Sequence, residues 1–156
     1  MAFKVSTPAA TGHVVHTPAG RGAILDVMGT MVEVKVDAEQ SAGALNLFEI
    51  VAPPGSFVPP HLHRREDETF YVLEGQVEAE AEGKVELISA GGSLFLPRNG
   101  VHSWKTAGST TCRFLVISNP SGMDRYFPEI ATQAGMSPPT PEQLVTISLK
   151  YGIEFL

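Results

Sequence analysis

The sequence predicts an all-β, mainly antiparallel fold, a two-sheet sandwich or barrel with one or two short helices added near its C-terminal end. Three observations predict it. Short apolar segments recur with turn residues between them at spacings of about ten residues, the rhythm of sandwiches and barrels. One segment, Gln76 to Glu82, alternates apolar and acidic residues without a break. Beyond residue 120 the period of two gives way to helix start and stop signals.

Taken in order, residues 1–22 are rich in Ala, Thr, Pro and Gly and predict an extended N-terminal arm. Residues 23–156 then form one domain, since 156 residues is an ordinary single-domain length. A chain of this size buries roughly 70% of its unfolded surface, enough for a core without staples. "AILDVMGTMVEVKV" predicts two short strands broken at Gly29, and "ALNLFEIVAPPG" a further strand stopped by Pro53, Pro54 and Gly55. In "QVEAEAEGKVELIS", Val77, Ala79 and Ala81 form an apolar face. Gly83 marks a hairpin, after which Val85 and Leu87 are expected to resume that face. Glu78, Glu80, Glu82 and Glu86 read as its solvated side. The helical segment is expected over about residues 121–151. "SGMDRYFPEIATQAG" reads as a short helix or helical turn, with Pro128 tolerated where a first helical turn begins. "TPEQLVTISLKYG" is a firmer helix: Thr140 and Gln143 make a capping box, Pro141 takes the first helical position and Gly152 ends it. Leu144, Ile147 and Tyr151 share the face that docks on a sheet.

Eleven basic against seventeen acidic residues give a net charge of −6. No basic stripe is present, which excludes nucleic acid as the expected partner. No apolar run approaches the ~20 residues that span a bilayer, and "MAFKVSTPAATGHVV" lacks the apolar core of a signal peptide. Cys112 is the single cysteine, so no intrachain disulfide forms, and its strand-like setting predicts a buried, inert thiol. These features predict a cytoplasmic protein.

The stretch "PPHLHRREDETFYVLEG" carries the chemistry. In an extended segment side chains alternate, so His61 and His63 point the same way and Leu62 points away. "RRED" makes a turn, and the chain re-enters a strand at Glu68, which shares a face with Phe70 and Val72. A carboxylate at the head of an inward apolar face is costly unless something pairs it, and a divalent cation would do so. Glu66 and Asp67 are rival carboxylates, assigned with Arg64 and Arg65 to the surface of the turn. His13 and His16 lie in the arm and are expected to play no part. The plain alternative is a structural histidine cluster.

Gly55, His61, His63, Glu68 and Gly75 fit the pattern G-x5-H-x-H-x4-E-x6-G, and Gly91, Pro97 and His102 fit most of G-x5-P-x-G-x2-H-x3-N. These patterns closely resemble the two motifs of the cupin superfamily. Asn99 stands where the second motif has Gly, with Gly100 beside it, and Thr106 stands where it has Asn. An Asn-Gly pair still supplies a tight turn. The likeness extends over about residues 23–118, and more loosely the C-terminal helices resemble those of small single-domain cupins similar to quercetin dioxygenases.

The resemblance implies a double-stranded β-helix, or jelly-roll cupin barrel, over residues 23–156, with a metal held by His61, His63, Glu68 and His102. Fe, Mn, Co, Ni or Cu would keep one or two positions open for substrate or dioxygen, whereas Zn could close the site as a tetrahedron. Phe70, Val72 and Trp104 are candidate walls of a substrate pocket, or ordinary barrel core. The implied function is a metal-dependent dioxygenase acting on a small enolisable or aromatic substrate, with Glu68 also serving as general base. Two alternatives share the site. One is a non-oxidative isomerase, decarboxylase or cyclase, and the other a non-catalytic cupin that binds a metal or small molecule. The partners expected are a small-molecule substrate, O2 and a second copy of the chain in a homodimer.

Overall fold

A computed structural model of the chain describes residues 12–137 and 139–156, so the first eleven residues of the expected N-terminal arm lie outside the described residues. Residues 12–22 run beside the first hairpin and the turn that follows it. His13 N donates to the Gln40 carbonyl (3.0 Å), Thr17 Oγ1 to the Lys35 carbonyl (2.8 Å) and Gly22 N to Glu33 Oε1 (2.7 Å).

The strands are β1 (Ala23–Val27), β2 (Thr30–Val36), β3 (Asn46–Ala52), β4 (Phe57–His63), β5 (Asp67–Glu74), β6 (Gln76–Ala81), β7 (Lys84–Ser89), β8 (Ser93–Leu96), β9 (His102–Thr106) and β10 (Cys112–Asn119). Helices α1 (Met123–Met136) and α2 (Pro141–Lys150) follow, then β11 (Ile153–Phe155). One sheet has the order β1-β2-β3-β10-β5-β8 and the other β11-β4-β9-β6-β7, with the observed pairs antiparallel. The two layers form the expected double-stranded β-helix. Their inner faces meet in a core that includes Phe48, Ile50, Phe70, Val77 and Phe114, each 4% exposed or less. Alternation along β10 is complete, with Cys112, Phe114, Val116 and Ser118 buried and their neighbours less so. Cys112 is the inert thiol expected, fully buried and with its pKa pushed up by burial.

The hairpin after the alternating strand departs from expectation. Its turn is the two-residue Glu82-Gly83, both with positive φ (52° and 72°), so Ala81 pairs with Lys84 and Val77 with Ile88. A two-residue loop makes odd positions of β6 face even positions of β7. Ile88 is therefore the buried residue, while Val85 and Leu87 stand 61% and 56% exposed beside Glu80 and Glu78.

The helices also differ in one respect. α1 runs unbroken through Pro128, five positions after its first residue, beyond the turn where proline is free of cost. Tertiary packing outweighs the missing N–H: Met123, Tyr126 and Ile130 are buried on one stripe, and the Phe127 ring meets Phe48 edge-on at 5.0 Å. α2 starts as expected, with Gln143 N donating to Thr140 Oγ1 (3.2 Å) and Thr140 N to Gln143 Oε1 (2.9 Å). β11 was not visible in the sequence pattern. It follows Gly152 directly and lies against β4, Ile153 opposite His63 and Phe155 opposite His61.

Tyr126 links the two helices. Ser148 Oγ donates to the Leu144 carbonyl (2.7 Å), which commits its proton, so the Tyr126 hydroxyl is the donor in its 2.9 Å bond to Ser148 Oγ. Burial raises the Tyr126 phenol from 10.0 to about 12. The neutral form is favoured in the fold, so this contribution is whole below pH 10 and is lost as pH rises toward 12, where the unfolded phenol has ionised and the folded one has not. Stability should fall by about 2–3 kcal/mol across that window from this group. Tyr126→Phe should flatten the fall in urea titrations at pH 9 to 12, and an unchanged slope would sink the assignment.

Candidate metal centre

His61 and His63 come from β4, His102 from β9 and Glu68 from β5, so the cluster joins the two sheets. Strand parity turns both β4 histidines inward, and the β4–β9 register sets His61 directly opposite His102, ring centroids 4.3 Å apart. Pro59 and Pro60 have no N–H to give to the ladder, and the β4–β9 register shifts between Val58 and His61. All four residues are 6% exposed or less. One ligand atom from each lies within 4.8 Å of the others.

Short turns wire the imidazoles in place. His61 Nδ1 donates to the Pro59 carbonyl (2.8 Å) and His102 Nδ1 to the Gly100 carbonyl (3.0 Å). Gly100 belongs to the "PRNG" turn, where Asn99 takes φ 66°, the conformation glycine supplies in the motif. Asn99 N donates back to the His63 carbonyl at 2.7 Å. Thr106, in the place of the motif's Asn, accepts from Gly55 N (2.9 Å) and so ties the turn before β4 to the end of β9. At Gly75 a side chain is excluded, because φ is 73° and an added Cβ would lie 2.8 Å from the Thr111 carbonyl oxygen.

The donor set fits a divalent cation. A carbonyl only accepts, so His61 and His102 carry their protons on Nδ1, which leaves the Nε2 lone pairs turned toward the cluster. His102 Nε2 and His63 Nε2 both face Glu68 Oε2, at 3.2 and 3.3 Å. Lone pairs aimed at a buried carboxylate oxygen repel unless a positive charge lies between them. Without a metal, protons must serve. Burial alone would raise the Glu68 carboxyl, but the histidines outweigh it and hold it down to about 2. Burial lowers His63, but Glu68 and Glu66 outweigh it and raise its pKa. Burial, with His102 beside it, drives His61 down to about 4. Two carboxylates thus favour the charged form of one imidazole, while burial favours the neutral form of its neighbour.

A cavity of about 550 Å³ opens from the cluster. Phe70 and Trp104 line it, with Phe114 set against both rings at 5.4 and 5.2 Å. Val72 lies elsewhere: it is one inward step further along β5, paired with Phe114 and fully buried in the core. Sequence reasoning missed the part of the wall formed by Tyr126, Phe127, Leu144 and Phe155, contributed by the helices and β11. The Phe155 ring lies 5.6 Å from that of His61. The apolar face of the α2 pattern was the one available signal.

The four charged residues of "RRED" do not share one fate. Arg64 grips Glu154 with two bonds of 2.8 Å, and Asp67 pairs with Arg98 at 3.0 Å, both at the surface. Arg65 packs on Gly152, where an added Cβ would meet its side chain at 3.1 Å. Glu66 is the correction: it is not turn surface but 3% exposed, with Oε2 3.5 Å from His63 Nδ1. His13 and His16 are exposed and lie outside the cluster.

Comparison with known proteins agrees with this architecture. Residues 48–118 match the family model described as the cupin domain. Germin-like protein subfamily 2 member 2 of Arabidopsis thaliana is 31% identical over 114 residues, 70% of this chain and 52% of that protein. Quercetin 2,3-dioxygenase of Bacillus subtilis is 38% identical over 53 residues, 34% of this chain and 16% of that protein. The solved structure of the polyketide cyclase RemF from Streptomyces resistomycificus superposes with a TM-score of 0.57 at 27% identity, covering 69% of this chain and 79% of that one. The chain spans about half the length, or less, of the first curated relatives it matches. Among the described residues no helix is long and apolar enough to cross a membrane. With both motifs on the strands that build the cluster, and the family match running from β3 to β10, residues 48–118 are a cupin domain.

Proposed function

We propose that this chain is a metal-dependent dioxygenase acting on a small aromatic or enolisable substrate, with His61, His63, Glu68 and His102 as the metal ligands. The observation that carries the reading is the pairing of that donor set with its cavity. Among the described residues the lining contains no Lys, Arg or Asp, and Glu68 is its one carboxylate. Such a wall offers nothing to balance a second carboxylate, so small dicarboxylates are poor candidates. It suits a flat, largely uncharged ring system held edge and face by Phe70, Trp104 and Phe114.

A divalent transition metal would supply Lewis acidity toward an enol or phenol oxygen, acidifying its proton, and an open coordination position. The protein's own groups do the rest. Glu68, the one carboxylate of the cavity lining, would accept the substrate's hydroxyl proton at a carboxylate oxygen. The Pro59 and Gly100 carbonyls fix the tautomers of His61 and His102. The helices and β11 close the cavity wall and keep water from the reacting ring.

A second, non-oxidative reading, as a cyclase, isomerase or decarboxylase, is favoured by the likeness to the polyketide cyclase, which extends over most of both chains. One experiment separates the two. Metal-stripped protein is loaded in turn with Fe, Mn, Co, Ni and Cu, and oxygen uptake is followed with flavonols and other enolisable aromatics. The dioxygenase reading expects uptake with at least one metal, lost in Glu68→Ala. Product formed without oxygen would transfer the site to the second reading. Tight binding with no product under either atmosphere would make the chain a binding protein.

A further inference from the structure

Three imidazoles point Nε2 at the cluster, and each has a different group behind its Nδ1. For His61 and His102 it is a neutral backbone carbonyl. For His63 it is the carboxyl group of Glu66, at 3.5 Å. That separation is long, and neither His63 Nδ1 nor Glu66 Oε2 has a hydrogen-bond partner of good geometry. Both are sealed from water, each residue being 3% exposed. A buried acid facing a buried imidazole nitrogen, with nothing else to satisfy either, is an arrangement that needs a reason.

The surroundings hold Glu66 there. Of the four charged residues in its turn it alone faces inward, since Arg64 and Asp67 are bound to Glu154 and Arg98 and Arg65 lies on Gly152. On its far side is Gly122, at φ 153°, where an added Cβ would come within 3.2 Å of Glu66 Oε1. A side chain at residue 122 would crowd the carboxyl. The fold thus places an acid against the back of one histidine and reserves the space it occupies.

We propose that Glu66 is a positioning residue of the metal centre: it accepts the Nδ1 proton of His63, fixing Nε2 as the ligand atom and making His63 the most strongly donating of the three imidazoles. The proposal rests on the reading of His61, His63, Glu68 and His102 as metal ligands. A carboxylate behind a ligating histidine fixes its tautomer and raises its basicity, and loss of such a partner typically costs 10–100-fold, to order of magnitude about a factor of 30, in metal affinity. Asp67 provides the internal comparison. It has the same charge and is the next residue, but it lies at the surface on Arg98.

The test is zinc affinity by competition with a chromophoric chelator, together with the visible spectrum of the cobalt-loaded protein. Glu66→Ala should bind zinc about 10–100-fold more weakly than the wild type. Glu66→Gln, which keeps a neutral acceptor and the side-chain volume, should fall between the two. Asp67→Asn should match the wild type. The cobalt bands should move in Glu66→Ala and stay in place in Asp67→Asn, a change that loss of packing elsewhere would not produce. Wild-type affinity and spectrum in both Glu66 variants would overturn the proposal, as would an equal loss in Asp67→Asn, which would reduce the effect to net charge. If the wild type takes up neither metal and behaves as His61→Ala does, the metal-centre reading fails and the proposal falls with it.

Discussion

His61→Ala, His63→Ala, Glu68→Ala and His102→Ala should each weaken metal binding by more than about 100-fold, beyond what loss of an outer partner costs. The reason is geometric. The four ligand atoms lie within 4.8 Å of one another, yet they come from three strands in two sheets, so no neighbouring side chain can take a vacated place. Among the described residues the nearest spare carboxylate, Glu66, sits behind His63 and faces its Nδ1. Glu68→Ala should do more than remove a ligand. The Nε2 atoms of His63 and His102 lose the oxygen they share, and the centre keeps no negative charge on the cavity side. Elemental analysis after dialysis against a chelator should find metal in the wild type and in a His13→Ala, His16→Ala double variant, whose exposed side chains lie outside the cluster. It should find almost none in the four ligand variants. Retention of metal by any of them would remove that residue from the set.

Strand parity made the pairing of His61 with His63 legible in the sequence, strand entry and motif spacing singled out Glu68, and the resemblance to the second cupin motif supplied His102. Once β4 is extended, His61 and His63 must share a face, and Pro97 to Gly100 returns the chain so that His102 lands opposite His61. Glu66 was not legible. Four consecutive charged residues in a turn have no period, and which of them faces inward is decided by Gly122 and Gly152, more than fifty residues away. The β7 face was misjudged by one position because Gly83 locates a turn without fixing its length, and a two-residue loop reverses the parity that a three-residue loop would keep. Pro128 misled for a related reason: local propensity sees the lost hydrogen bond but not the buried stripe of Met123, Tyr126 and Ile130 that outweighs it. β11, with three residues, is too short to show a period, and it exists because β4 offers an edge.

Asn46→Ala should destabilise the metal-free protein by about 3 kcal/mol, a large share of the roughly 5–15 kcal/mol that holds a domain together. Asn46 opens β3 and is fully buried. Its Oδ1 accepts from Gly122 N at 2.8 Å and, more weakly, from Asp124 N and Ser118 Oγ at 3.4 Å each, while Nδ2 reaches the Val36 carbonyl at 3.4 Å. One side chain therefore ties the end of β2 and the end of β10 to the start of α1, where it serves donors that the helix cannot satisfy itself. Alanine leaves the half-buried Gly122 N–H without that partner, at a cost of about 1–3 kcal/mol, and loosens the weaker bonds with it. Asn46→Asp keeps the acceptor and sets a negative charge at a helix N-terminus, so it should cost less than the alanine change. Urea denaturation in the presence of a chelator checks the order, because bound metal would otherwise mask the loss. The same bond fixes Gly122, whose lack of a side chain leaves the space that Glu66 occupies beside His63, so Asn46→Ala should also weaken zinc binding although it touches no ligand. A variant as stable as the wild type would show that α1 is held by its apolar stripe alone. One that is unstable but binds zinc unchanged would break the chain from Asn46 to the metal centre at Gly122.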